Sequence, residues 1–246
     1  MEIQAVRRAF SILEYVCDAG KAGVSEIARE LDLNKSTAFG LIRTLVQAGY
    51  LQQIQNSTEY ELSLKVCNLS SNVLGRIQVR EYARPLLEEL SEKYGETVHL
   101  VTASPRECIY IDKVESTSSI RIFTSIGNHL PLHATGVGKS ILAMRKREEQ
   151  EKYVTEEPLQ RFTDTTITDP QSLLKELEEI RLRGYGFDHG ERFPDVFCLA
   201  VPILNQAQEP VYSVSISMPH YRSQEDNSEQ IAQDLFAVKE KIERIL

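Results

Sequence analysis

Residues 24–49 read VSEIARELDLNKSTAFGLIRTLVQAG. Ile27, Ala28 and Leu31 recur at helical spacing, with Ser25 placed as the N-cap of a short helix. The LDLN segment makes a tight turn, and its apolar Leu31 and Leu33 pin two helices at a steep angle. A second helix then runs from Lys35 to its closing Gly49, with Ala38, Leu41, Ile42, Leu45 and Val46 as the inner stripe. Lys35, Ser36, Thr37, Phe39, Gly40 and Arg43 fall outside that stripe. The pattern predicts a helix-turn-helix with one polar, cationic helix face turned outward.

Both flanks extend the motif. Upstream, Val6, Phe10, Leu13, Val16 and Cys17 predict an amphipathic helix that Gly20 ends. Downstream, YLQQIQNSTEYELSL holds two alternating segments around Asn56-Ser57, the pattern of a hairpin. A hairpin following such a helix is a wing. Small hydroxyls and a lysine at a helix start donate to phosphate oxygens, and a helix lodged in the major groove would turn Thr37, Phe39 and Gly40 to base edges with Arg43 near a phosphate or guanine. The expected partner is therefore double-stranded DNA, contacted through Ser25, Lys35, Ser36, Thr37, Phe39, Gly40 and Arg43.

Charge distribution agrees with this. The 246 residues carry a net charge of −8, yet residues 1–80 hold nine lysines and arginines against eight aspartates and glutamates. The acidity lies beyond residue 80, and local patches decide DNA contact. No apolar run reaches a membrane span and the N-terminus has no apolar signal core, so the cytoplasm is the expected location. Cys17, Cys67, Cys108 and Cys198 form no C-x-x-C pair, which argues against a zinc ribbon or a disulfide framework. Cys17 and Cys67 are expected to pack as small hydrophobes.

The rest of the chain predicts an α+β domain around a mostly antiparallel sheet. IQVREYARPLLEELSEKYG is one long helical stretch with Leu86, Leu87 and Leu90 as its stripe and Pro85 inside it. Strand character follows in ETVHLVTAS, ECIYIDKVE and SIRIFTSIG, then a helix from 138 to about 155. A second helix is N-capped near Asp169 and closed by Gly184. VFCLAVPIL and PVYSVSISM are strands joined by QAQE, and a helix over about 225–245 ends the chain. The expected organisation is a winged helix-turn-helix over 1–66, a linker helix region over 67–95 and a regulatory domain over 96–246.

HATGVGKS, residues 133–140, suggests a phosphate loop, but His133 stands where that loop needs its first glycine. What survives is a glycine-rich turn into a helix, whose free N–H groups favour an anion such as a carboxylate. Lys139 is read as a solvated or salt-bridged helix lysine. Ser215 and Ser217 share one face of a strand, as do Cys198 and Ala200 on its neighbour. His99 is read as a packed or edge strand residue. Asp188, His189 and Cys198, with His133, supply metal-ligating atoms at a spacing that matches no standard site, so neither a metal nor a cofactor is expected.

Along nearly its whole length the chain resembles the IclR family of bacterial transcription regulators. The resemblance is carried by RRAFSIL, VSEIARELDLNKSTAFGLIRTLVQAGYL, YELSLKV and REYARPLLEELSEKYGETVHL, then by LPLHATGVGKSILA, TITDP, RGYGFD, FCLAVPI and VSISM. It implies a winged helix joined by a helix to a ligand-sensing domain of GAF-like fold, in dimers or tetramers on palindromic operators. Position by position, it implies an effector site at Gly136, Val137, Asp188, Cys198, Ser215 and Ser217. The chain departs from the family's Asp-x-Glu-Glu at 188–192, which here reads DHGER, and from the arginine many relatives have at Gly40. The expected function is a regulator of transcription, not an enzyme, that senses a small organic acid. An adaptor using the winged helix without DNA, and an enzyme using the GVGKS loop, are the alternatives.

Overall fold

The computed structural model describes residues 2–118, 124–223 and 227–246, and the chain divides into a first unit ending at Arg76 and a second from Ile77 to Leu246.

In the first unit, α1 (Gln4–Ala19), α2 (Val24–Glu30) and α3 (Lys35–Gln47) pack around Ile12, Val16, Ile27, Ile42 and Leu45. The buried line of α1 differs from the expected one: Val6 and Phe10 are 50% and 61% exposed, and Cys17 is exposed. At about 100° per residue, Phe10 and Cys17 stand a quarter-turn or more from the line through Ile12 and Val16. Ser25 is not the N-cap of α2. The strand β1 (Ala22–Gly23) runs directly into the helix, so Gly23 takes the cap position and Ser25 is an exposed second residue. Between α2 and α3 the Leu33 amide donates to Ala28 O at 2.8 Å, and Asp32 takes φ 49 to close the turn.

The wing is present as β2 (Leu51–Gln53) and β3 (Glu59–Leu62), paired antiparallel with Leu51 opposite Leu62, and β1 adds to the far side of β3. A further helix, α4 (Lys65–Leu74), buries none of its residues, which leaves Cys67 exposed rather than packed.

The segment 67–95 is two helices. The second, α5 (Gln78–Tyr94), runs through Pro85 unbroken and ends at Gly95 in the left-handed conformation. Its Val79, Ala83, Leu86, Leu87 and Leu90 belong to the core of the second unit.

That unit is built on six antiparallel strands in the order β6-β5-β4-β9-β8-β7. They are β4 (Thr97–Ala103), β5 (Glu107–Val114), β6 (His129–Pro131), β7 (Gly186–His189), β8 (Val196–Leu204) and β9 (Pro210–Pro219). Of the expected strand SIRIFTSIG, residues 119–123 lie outside the described residues, and 124–127 are not strand. Strand alternation sorts the side chains to two faces. Leu199, Val201, Val214, Ile216 and Met218 pack with α5 and the last helix, α9 (Ser228–Glu243). Cys198 and Ala200 turn to the opposite face, in a core shared with α6 (Gly136–Met144) and α8 (Pro170–Arg183).

The helix expected from 138 to about 155 is instead two, α6 and α7 (Arg147–Glu156), parted at Arg145 in an extended conformation. The break is held open by side chains that take the freed carbonyls. Gln150 Nε2 donates to Leu142 O and Ala143 O at 3.0 Å, and Arg181 Nε donates to Ala143 O at 2.9 Å. Asp169 caps α8 through the Ser172 amide at 2.7 Å, with Gly184 left-handed at its end.

Candidate functional site

The outward face of α3 stands as its sequence implies. Lys35, Ser36, Gly40 and Arg43 are exposed, Thr37 is half-buried, and Phe39 is 45% exposed although apolar. Ser25, Lys35, Ser36 and Phe39 line a cleft of about 750 Å³ with Gln53, Thr58 and Tyr60 of the wing strands and their loop. The helix start carries first-turn N–H groups with no intrahelical acceptor, and no acidic residue lies in its first turn. A Cβ on Gly40 would meet nothing within 4 Å, so no close packing inside the protein requires glycine there.

In the second unit, a buried chamber of about 30 Å³ gathers Gly136, Val137, Asp188, Cys198, Ser215 and Ser217 from four separate stretches of chain. The sheet register explains the convergence. Asp188 pairs with Cys198 and Cys198 with Ser217, while Ala200 pairs with Ser215. These residues stand side by side across three strands, facing the start of α6. Thr135 caps that helix by accepting from the Gly138 amide at 3.1 Å, leaving the Gly136 and Val137 amides at the open end. Gly138 is required for packing: a Cβ there would lie 2.5 Å from Leu132 Cα. The glycines of GVGKS thus let a helix start sit directly on backbone.

Electrostatics in the chamber follow from burial. Burial raises the Asp188 carboxyl to about 7, with the nearby Glu191 carboxylate adding to the effect, while the Glu191 and Arg192 amides and Lys139 pull it back. Its Oδ1 accepts the Glu191 amide at 2.7 Å, which shapes the 189–191 turn where Gly190 takes φ 77. Burial pushes the Cys198 thiol up to about 11, against the pull of the Ser217 and Ser215 hydroxyls, so a neutral thiol faces the chamber. Burial also holds His99 down at about 3, with Lys113 adding to the effect. Its neutral ring spans Thr124 Oγ1 at 3.0 Å and Ser217 Oγ at 3.3 Å and lies against Tyr110.

Lys139 is not solvated. It is buried, paired with Glu191 and 3.7 Å from Glu176. This ion pair ties α6 to the loop after β7, whose carbonyls at Gly190 and Glu191 accept the hydroxyls of Thr163, Thr165 and Thr166. His189 is exposed while Asp188 is buried, as neighbours on a strand must be, and His133 is bonded to Tyr153 and Gln160. Among the described residues no three metal-ligating side chains converge.

Sequence reasoning missed several lining residues: Tyr110, Thr124, Leu130, Arg192, Phe193 and Val196. Tyr110 and Arg192 carried a signal only through register and through β7, a four-residue strand too short to show alternation.

Comparison with known proteins joins the two units. The family description "IclR helix-turn-helix domain" matches residues 5–55, and "Bacterial transcriptional regulator IclR C-terminal" matches residues 71–244. The HTH-type transcriptional regulator KdgR of Dickeya chrysanthemi is 32% identical over 228 residues, spanning 93% of this chain and 75% of that protein. The crystal structure of the Thermotoga maritima IclR is similar with a TM-score of 0.84 and 34% identity, covering 100% of this chain and 99% of the other. An IclR homolog from Microbacterium hydrocarbonoxydans, crystallised with 4-hydroxybenzoate, shares the fold with a TM-score of 0.79 at 22% identity, covering 97% and 98%. Matched in order through both units, this chain belongs to the IclR family of bacterial transcriptional regulators, DNA-binding proteins that respond to a ligand.

Proposed function

We propose that the chamber at the start of α6 is the effector site and that its ligand is a small carboxylic acid. The observation that carries this reading is the convergence of Gly136, Val137, Asp188, Cys198, Ser215 and Ser217 on one buried space. The Gly136 and Val137 amides supply the anion-favouring end of a helix, Ser215 and Ser217 supply hydroxyls, and Asp188 supplies an acceptor or, protonated, a donor. At about 30 Å³ the chamber holds one water, so an acid enters only when the loop at 189–195 moves outward. Opening couples the ligand to conformation, because the acid binds one arrangement of the loop and not the other. The IclR homolog holding 4-hydroxybenzoate supports a carboxylate ligand in this fold.

At the other unit, Lys35, Ser36 and Arg43 are assigned to phosphate oxygens, and Thr37, Phe39 and Gly40 to base edges, with Ser25 at the margin of the same cleft. The division of labour is DNA reading over 1–66, transmission over 67–95 and sensing over 96–246. Ile3, Val6 and Phe10 near the N-terminus, and Leu64, Leu69 and Val73 in and before α4, are exposed apolar residues, which supports pairing with a second copy on a palindromic operator. The protein is read as a cytoplasmic regulator without catalysis, since the lysine of GVGKS is engaged with Glu191 and the thiol of Cys198 is neutral.

Calorimetric titration of small carboxylic acids into wild-type protein and into Ser215→Ala/Ser217→Ala tests the effector assignment. An acid that binds wild type and loses at least about tenfold in affinity to the double variant is the expected result. Equal affinity for both proteins would place the ligand elsewhere.

A further inference from the structure

The charge balance of the chamber raises a question that the amides of α6 alone do not answer. A carboxylate brought beside Asp188 in a buried space needs a compensating cation, since burying unpaired charge is costly. A helix start contributes about half a positive charge. Lys139, the nearest buried cation, is committed to Glu191, with Glu176 3.7 Å away. Among the described residues, the one remaining cation lining the chamber is Arg192.

Arg192 is held in an unusual state for an arginine. Its Nε is buried without a hydrogen-bond partner, and no carboxylate pairs with it among the described residues. Its guanidinium lies 4.0 Å over the Phe162 ring and 5.2 Å from that of Phe193. Stacking fixes the guanidinium plane while leaving its N–H edges free to donate. The backbone is fixed as well, because the amide of the preceding residue, Glu191, donates to Asp188 Oδ1 at 2.7 Å and its carboxylate is anchored to Lys139. The result is a preorganised, half-buried cation on the loop that must move for a ligand to enter.

We propose that Arg192 is the residue that pairs with the effector's carboxylate and that it restricts the chamber to acids, excluding their neutral isosteres. This rests on the chamber being the effector site. One carboxylate oxygen accepts from the α6 amides and the other from the guanidinium, so the acid bridges helix and loop. Binding then sets the loop position through a bond that forms only when the acid is present, which ties ligand recognition to the switch.

The test is titration calorimetry of the intact protein with acetate, succinate, benzoate and 4-hydroxybenzoate, each beside its amide, for wild type, Arg192→Gln and Arg192→Lys. The expected result is that at least one acid binds wild type, that its amide binds far more weakly, and that Arg192→Gln lowers acid affinity at least about tenfold while Arg192→Lys recovers part of it. An acid that binds Arg192→Gln as tightly as wild type, or an amide that binds wild type as tightly as its acid, overturns the assignment and leaves the chamber reading standing. The amide comparison uses wild type alone, so it decides the matter even where glutamine disturbs the loop. Failure of every acid to bind wild type overturns the carboxylate reading and this inference with it.

Discussion

Gly40 and Gly138 stand at opposite extremes of what a methyl group would meet. A Cβ at Gly138 would press on Leu132 Cα at 2.5 Å and on Thr135 Oγ1 at 2.6 Å, whereas at Gly40 it would enter open space. Gly138→Ala is therefore expected to destabilise the second unit by more than about 2 kcal/mol through forced backbone movement. Gly40→Ala is expected to stabilise the first unit by about 0.5–1 kcal/mol, because alanine is the better helix former, while weakening operator binding. Urea denaturation of both variants, with operator affinity measured for the second, checks the pair. Asp188 gives a test with a definite pH window. Its folded carboxyl lies at about 7 and an unfolded aspartate at about 3.9, so the protein holds this proton more tightly when folded. The associated stability is present below about pH 4 and is lost as pH rises through about 7. His99, held neutral with its value near 3, has the opposite slope and loses stability as pH falls below about 6.5, masking Asp188 in wild type. Asp188→Asn keeps the acceptor for the Glu191 amide and removes the titration. Its stability relative to wild type should climb between about pH 4 and 7 and be flat above; a difference independent of pH would contradict the assigned burial.

At the scale of elements, α6 is the helix on which the proposed effector site rests. Every residue from Gly136 to Ala143 is buried, including Lys139, and the Lys139–Glu191 pair locks the helix to the loop after β7. Lys139→Met leaves Glu191 as an uncompensated buried charge and is expected to cost about 3–5 kcal/mol, with Glu191→Gln recovering much of that loss in the same background. Thermal melts of the single and double variants measure it; a double variant no more stable than the single one would deny the coupling. Much of this arrangement was legible in the residues. Ser215 and Ser217 lie two apart on a strand, Cys198 and Ala200 do likewise, and the short QAQE turn makes their strands neighbours. What could not be read was set by contacts distant in sequence. The break between α6 and α7 depends on Gln150 and Arg181 taking carbonyls of a helix end, and nothing local announces that. Ser25 looked like a cap because serine favours that position, but strand pairing of Ala22 and Gly23 with β3 moved the helix start. Arg192 escaped notice because a lone loop arginine carries no pattern.

For the whole molecule, net charge and function pull apart. The chain carries a net −8, so the DNA contact proposed for the face of α3 and the wing depends on local rather than overall charge. Operator affinity should fall steeply with salt, and removing Lys35 or Arg43 should reduce the slope of log affinity against log salt by about one each if both reach phosphates. A slope unchanged in Lys35→Ala and Arg43→Ala would remove those residues from the interface. The order of the two units was readable because helix, turn, helix and wing precede a pattern of hairpins and covering helices. The most direct test of a ligand-responsive regulator is capture of fragmented genomic DNA on the intact protein at physiological salt, followed by sequencing, with and without the carboxylic acid that binds. The expected result is enrichment of a palindromic site that Lys35→Ala/Arg43→Ala fails to capture and whose yield changes with the acid. No enrichment over the double variant, or a yield indifferent to the acid, would contradict it.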